Sequence, residues 1–252
     1  VPPILRRPNR LTTAFLIFVL SGPLGLAAPL DDALNALMGG KVDATVNMLR
    51  DNTDAPSLVV LARAYVGQSL FVGSMTAKKK LYELSEAAGR RAVTADPRNA
   101  EAKTELAYAL GLQLQGAGIV EATRTGLEVK RLFDDAVKLD PNTARAWVGL
   151  GTWNVQALSL GGLVRFATGA SEADMRQDHR KAIQLQPNEV FFRLSYADSL
   201  LLLAKNDNRR AAGLKQEARS ILQAALNLTP ETYWQRYDQE AVRQRLKALG
   251  GS

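Results

Sequence analysis

One arrangement of residues recurs four times along this chain, and a recurrence of that length is compatible with few folds. A helix start opens near residues 55, 100, 144 and 190, at spacings of 44 to 46 residues. Six, seven and ten residues after each start stand Leu61, Ala62 and Tyr65; Leu106, Ala107 and Leu110; Leu150, Gly151 and Asn154; and Tyr196, Ala197 and Leu200. Those offsets share one face of a helix, with a small residue beside a large one, so the face makes room for a neighbouring helix. A second apolar stripe follows, as Val129, Phe133 and Ala136 ahead of Pro141 and as Ala218, Leu222 and Ala225 ahead of Pro230. Each unit is therefore a pair of helices that buries its stripes only by stacking on its neighbours. The expected fold class is all-α: an α-solenoid of about four helical hairpins, spanning 55–99, 100–143, 144–189 and 190–230.

The third unit carries the pattern most fully. Pro141, Asn142 and Thr143 fit a helix start, because Pro lacks the amide a helix interior needs while Asn and Thr side chains cap free amides. Trp147, Leu150 and Gly151 then place two large groups and a gap at one seam. This W-x-x-L-G run, followed by a small-large-small stripe and a closing Pro, resembles the tetratricopeptide repeat (TPR). That family's period is about 34 residues, so each unit here is about ten residues longer. The surplus falls in longer helices and in the segments Gly67 to Gly73, Gly116 to Gly118, Gly161 to Gly169 and Asn206 to Asn208. A long-helix form of the repeat is similar to the periplasmic accessory proteins of tripartite transporters and to the regulators of microtubule dynamics.

Both ends carry their own signals. Arg6, Arg7 and Arg10 precede the apolar run Leu11 to Leu20, and small residues follow at Gly25, Ala27 and Ala28, the layout of a secretory signal covering residues 1–27. Its apolar run is shorter than the roughly 20 residues of a spanning helix, which favours cleavage after Ala27 over a retained anchor. A periplasmic or secreted protein without a stable membrane span is the expectation. Residues 28–54 form a helical cap with Leu30, Leu34 and Leu37 on one side of Gly39 and Gly40, and Val42, Val46 and Leu49 on the other. Residues 231–252 form a C-terminal cap helix carrying Tyr233, Trp234, Tyr237, Val242, Leu246 and Leu249, or else an amphipathic helix for a partner.

Composition excludes most chemistry. With no Cys and a single His, thiolate metal sites, catalytic thiols and most metal or nucleophile constellations are out of reach, so neither a catalytic residue, a metal site nor a cofactor is expected. His179 stands at the large position of the third unit's second stripe, where Phe133 and Leu222 stand in theirs, and is expected to be buried. Gly39, Gly40 and Lys41 fail as a phosphate loop, since Val42 replaces the hydroxyl residue and Asn35 the earlier Gly. Gly116 and Gly118 fail as a dinucleotide fingerprint, with Glu121 at the third Gly place. The net charge of +7 drops to +4 without the three Arg of the leader. Lys78 to Lys80 and Arg209 with Arg210 lack interleaved aromatics and read as solvated faces, so nucleic acid is not an expected partner.

Binding remains. In TPR proteins the first helix of each hairpin lines a concave surface, and the resemblance assigns Val59, Arg63 and Val66; Thr104 and Tyr108; Val148, Thr152 and Val155; and Leu194 and Asp198 to a groove. These are mostly apolar or neutral and lack the Lys and Asn set that clamps a terminal carboxylate, which points to a protein or extended peptide held by other contacts. Each also has a plainer role available, packing against the adjacent repeat. A small apolar ligand is the alternative, favoured if Val148, Thr152 and the Gly161 to Gly169 loop close a pocket. Leu163, Val164 and Phe166 lie in that loop, either folded back over the hairpin ends or forming a lid whose glycines let it move.

Overall fold

The structure, a computed structural model, describes residues 27–115 and 118–250. The proposed leader therefore lies outside the described residues up to residue 26. All regular structure described is helical: α1 (Ala27–Met38), α2 (Val42–Leu49), α3 (Ala55–Ser69), α4 (Met75–Ala95), α5 (Ala100–Gln113), α6 (Ile119–Leu139), α7 (Ala144–Ser159), α8 (Gly162–Thr168), α9 (Glu172–Leu185), α10 (Val190–Asn206), α11 (Ala211–Leu226) and α12 (Tyr233–Ala248). The first helices of the hairpins, α3, α5, α7 and α10, pair with α4, α6, α9 and α11.

Local chemistry sets the helix starts. The Asp54 carboxylate accepts from the Ser57 amide at 2.9 Å and the Asn99 side chain from the Ala102 amide at 2.9 Å. Each satisfies one of the amides that a helix leaves free at its first turn. α7 departs from the expected cap: Thr143 makes no capping bond to the helix, and Asp140 holds the turn instead, accepting from the Asn142 amide at 2.9 Å and from the Thr143 hydroxyl at 3.3 Å. α12 opens with a reciprocal capping box between Thr232 and Gln235.

Glycines set how closely the helices approach. A Cβ on Gly149 would overlap the Phe133 ring, and one on Gly151 would sit 2.7 Å from the His179 ring. The gap read at Gly151 is thus filled by the imidazole of α9. The seam holds two large indoles rather than the one expected, since Trp147 packs against two core clusters and Trp153 is buried beside it. Trp147 is half-buried and donates to the Pro141 carbonyl at 2.9 Å, whereas Trp153 is buried and donates to the Gly126 carbonyl of α6 at 2.7 Å. Trp153 lies two helical positions past the motif, and only the approach of α6 selects it.

Two features alter the simple stack. The segment read as a loop between α7 and α9 contains the short helix α8, entered through Gly161 at φ 104° and left through Gly169 at φ 68°. Both conformations are open to glycine and strained for other residues. The second feature is α12. Besides packing on α10 and α11, it meets the N-terminal hairpin: the Trp234 indole donates to the Leu37 carbonyl at 2.7 Å, across 197 residues of chain. The array is thereby joined end to end.

Candidate functional site

The concave face is organised by charge at its N-terminal side. Glu105 of α5 is 1% exposed and is gripped from two repeats at once. Arg63 of α3 donates to it at 2.8 Å, and Arg145 of α7 donates at 3.0 and 3.2 Å. Burial alone would raise the Glu105 pKa, but the two guanidinium groups outweigh it and hold the carboxyl below its ordinary value. Arg63 is also paired with Glu101. Arg145 lies over the Tyr108 ring at 4.6 Å, and the Tyr108 hydroxyl donates to the Arg145 carbonyl at 2.9 Å. Arg63 and Tyr108 are thus held in a network that spans three consecutive hairpins.

Other groove candidates are packed away. Val59 is 5% exposed, and Thr104 and Val148 are fully buried. The Thr104 hydroxyl donates to the Ala100 carbonyl of its own helix at 2.8 Å. Val148 belongs to a small cluster with Ala144, Ala182 and Phe192. Val66 is half-buried, and the carbonyl of the same residue accepts from the Ser69 hydroxyl at 2.6 Å.

The remaining candidates converge. Tyr108, Thr152, Val155, Leu194 and Asp198 line one half-open cavity of about 600 Å³ enclosed by α5, α6, α7, α8, α10 and α12. Thr152 and Ser195 share a hydrogen bond at 3.1 Å on its wall. Sequence reasoning missed Trp153, Phe191 and Leu202, which add apolar wall, and Asp238, which α12 contributes. Phe191 and Leu202 belong to the runs Val190 to Phe192 and Leu200 to Leu203, where apolar residues leave no periodic contrast to separate a cavity face from a core face.

Two carboxylates mark the α12 side. Asp198 accepts from Arg245 of α12 at 2.8 and 3.3 Å. Asp238 is pushed up to about 7 by burial and by the Glu189 carboxylate, against the pull of Arg145. At neutral pH part of its population is therefore protonated and able to donate a hydrogen bond.

The segment around α8 divides. Val164 is half-buried, joins the core cluster of Trp153 and Leu150, and lines the cavity. Leu163 and Phe166 are 88% and 91% exposed. Two of the three apolar side chains thus stand in solvent rather than folding back over the hairpin ends, because a seven-residue helix can turn only one face to the protein.

His179 is fully buried, stacked on Tyr196 at 5.1 Å, and shares a hydrogen bond with Ser199 at 2.9 Å. Burial pulls its pKa down to about 3. The pair has the contact of a nucleophile and its base, but Nδ1 has no partner to orient the ring, and Ser199 is 3% exposed within α10. Among the described residues, no group of three or more His, Cys, Asp or Glu side chains could hold a metal ion, and no helix is long and apolar enough to cross a membrane.

Stacked pairs of helices, glycine-seated seams and a concave face built from the first helix of each pair define a tetratricopeptide-type helical repeat protein. The fold is similar to that of TTC0263, a thermophilic TPR protein of Thermus thermophilus, at 17% identity and a TM-score of 0.60, covering 86% of this chain and 98% of that one. PilF of Pseudomonas aeruginosa is 20% identical over 89% of this chain and 92% of its own, with a TM-score of 0.47. Residues 30–250 match the regulator of microtubule dynamics protein 1-3 family, and the chain belongs to it. No curated protein sequence matches it significantly.

Proposed function

We propose that the protein is a non-catalytic scaffold that holds an apolar segment of a protein partner in the cavity between α5, α7, α10 and α12. The observation that carries this reading is the cavity itself: about 600 Å³, walled mainly by apolar side chains, with Asp198 and Asp238 at one side. Such a site takes up a few large apolar side chains by the hydrophobic effect, while the carboxyl groups at its edge fix their register by hydrogen bonds to the backbone. An extended peptide running the length of the concave face fits less well, because α12 already crosses it.

Filling the cavity tests the proposal. Thr152→Phe adds a ring at a half-buried wall position, and is expected to abolish capture of partner polypeptides while leaving helix content and melting temperature close to the parent's. Photo-crosslinking from position 194 should map the captured segment. Undiminished capture by the Thr152→Phe protein, or crosslinks that avoid the cavity, would overturn it.

The cavity's volume, within the roughly 300 to 1,000 Å³ usual for small-molecule sites, also supports a second reading, a small apolar ligand carried for a transport or envelope system. Native mass spectrometry separates the two, as a small ligand adds a discrete mass that organic extraction removes. For location, we propose export to the periplasm or beyond, supported by the basic and apolar layout of residues 1–27. N-terminal sequencing of the protein from envelope fractions should then begin at or near Ala28, and protein retaining residues 1–27 in the cytosol would refute export.

A further inference from the structure

The helix that closes the array is held very differently at its two ends. From the middle of α12 onward, Val242 is fully buried in the core of α10 and α11, and the Gln239 side-chain amide donates to the Leu226 and Leu228 carbonyls at 3.3 and 2.7 Å. These contacts anchor the helix to the fourth hairpin. The first turns have no buried aliphatic side chain: Gln235, Gln239 and Val242 are the only buried residues of α12.

What holds the first turns is an aromatic contact with the opposite end of the chain. The Tyr233 ring occupies the space that a Cβ on Gly40 would take, 2.5 Å away, and Gly40 itself has φ 75°. Trp234 hydrogen-bonds to the Leu37 carbonyl and lies 3.2 Å from the Cβ position of Gly67. Phe71 stacks obliquely on both rings, at 6.3 and 6.2 Å, and is itself 51% exposed. Gln235 adds long bonds to the Asn188 carbonyl and to Glu189, at 3.5 and 3.3 Å. Asp238, which forms part of the cavity wall, sits between this contact and the Gln239 anchor.

A segment with few buried apolar groups, fixed at one side and held at the other by half-exposed rings, opens locally at a lower free energy than the fold as a whole. We infer that Tyr233 to Asp238 is a clasp: its aromatic contact with Leu37, Gly40, Gly67 and Phe71 holds Asp238 against the half-open cavity and narrows its mouth, and release of the clasp widens it. The two ends of the chain are thereby coupled to access at the middle, and a partner that engages the N-terminal hairpin would open the site. This rests on the cavity being the binding site, but its test needs no ligand.

The chain has no Cys, so single engineered thiols report access without background. Leu194→Cys places a thiol in the cavity wall, and Val148→Cys places one in a buried cluster away from it. The rate of reaction with a small maleimide is measured at each, in the parent and with the clasp weakened from either side by Trp234→Ala or Gly40→Ala. The expected result is a rise of about tenfold at position 194 and none at position 148. Equal acceleration at both sites would mean that the whole fold has loosened, and no acceleration at position 194 would mean that the cavity is open regardless of the clasp. Either outcome overturns the inference, whatever the cavity binds.

Discussion

At the scale of single residues, buried titratable groups give this fold a definite response to pH. Asp178 is 7% exposed and its pKa is pushed up to about 7, by burial first and by Asp174 next, against the hydrogen bond from Asn154 at 3.3 Å. The folded state therefore keeps a proton that the unfolded chain gives up near the ordinary value of 3.8. Its contribution to stability is largest at low pH, declines as pH rises through that window, and is level above about pH 7. Asp178→Asn cannot titrate, so the melting temperature of the parent relative to this variant should fall by a few degrees between about pH 5 and pH 8. His179, whose depressed pKa acts in the opposite direction as pH falls below about 6.5, is present in both proteins and cancels in the comparison. A pH-independent difference would show that Asp178 ionises normally in the fold.

At the scale of elements, α8 and the seam of α7 show where local pattern reaches its limit. Glycines at 161, 162 and 169 argue for a loop, since each weakens a helix, and a seven-residue helix has too few turns to display a period. The structure orders it nonetheless, with Val164 turned to the core and Leu163 and Phe166 turned out. Replacing Leu163 and Phe166 together by Ser should therefore leave stability within about 0.5 kcal/mol per site, the range of substitutions at exposed positions, as read by denaturant unfolding. A loss of several kcal/mol would place both side chains back against the protein. Unchanged stability with lost partner capture would make α8 part of the binding rim. The seam of α7 was legible in kind but not in detail. A large indole was expected at Trp147, which packs half-buried against two core clusters, yet the enclosed one is Trp153, because the approach of α6, absent from a linear motif, decides which indole is covered.

At the scale of the whole molecule, the chain is a solenoid that its last helix closes. The Arg63, Glu105 and Arg145 network links three hairpins, and α12 links the fourth to the N-terminal pair, so units far apart in the chain touch directly, whereas in an open array each unit contacts only its neighbours. The sequence by itself determined the helical hairpins. Caps, stripes and small residues act within a few turns, and their spacing carries over directly into helix starts at Ala55, Ala100, Ala144 and Val190. Of the groove residues, it identified candidates on the right helices but could not divide them. Val59, Thr104 and Val148 share the first helices with Thr152, Val155 and Leu194, and a turn of helix separates a packed face from a cavity wall. The tertiary structure alone decided that division and the return of α12. The contact between Trp234 and Leu37 joins residues 197 apart through the curvature accumulated over four repeats, a quantity set by every interface in between and written in no single one of them.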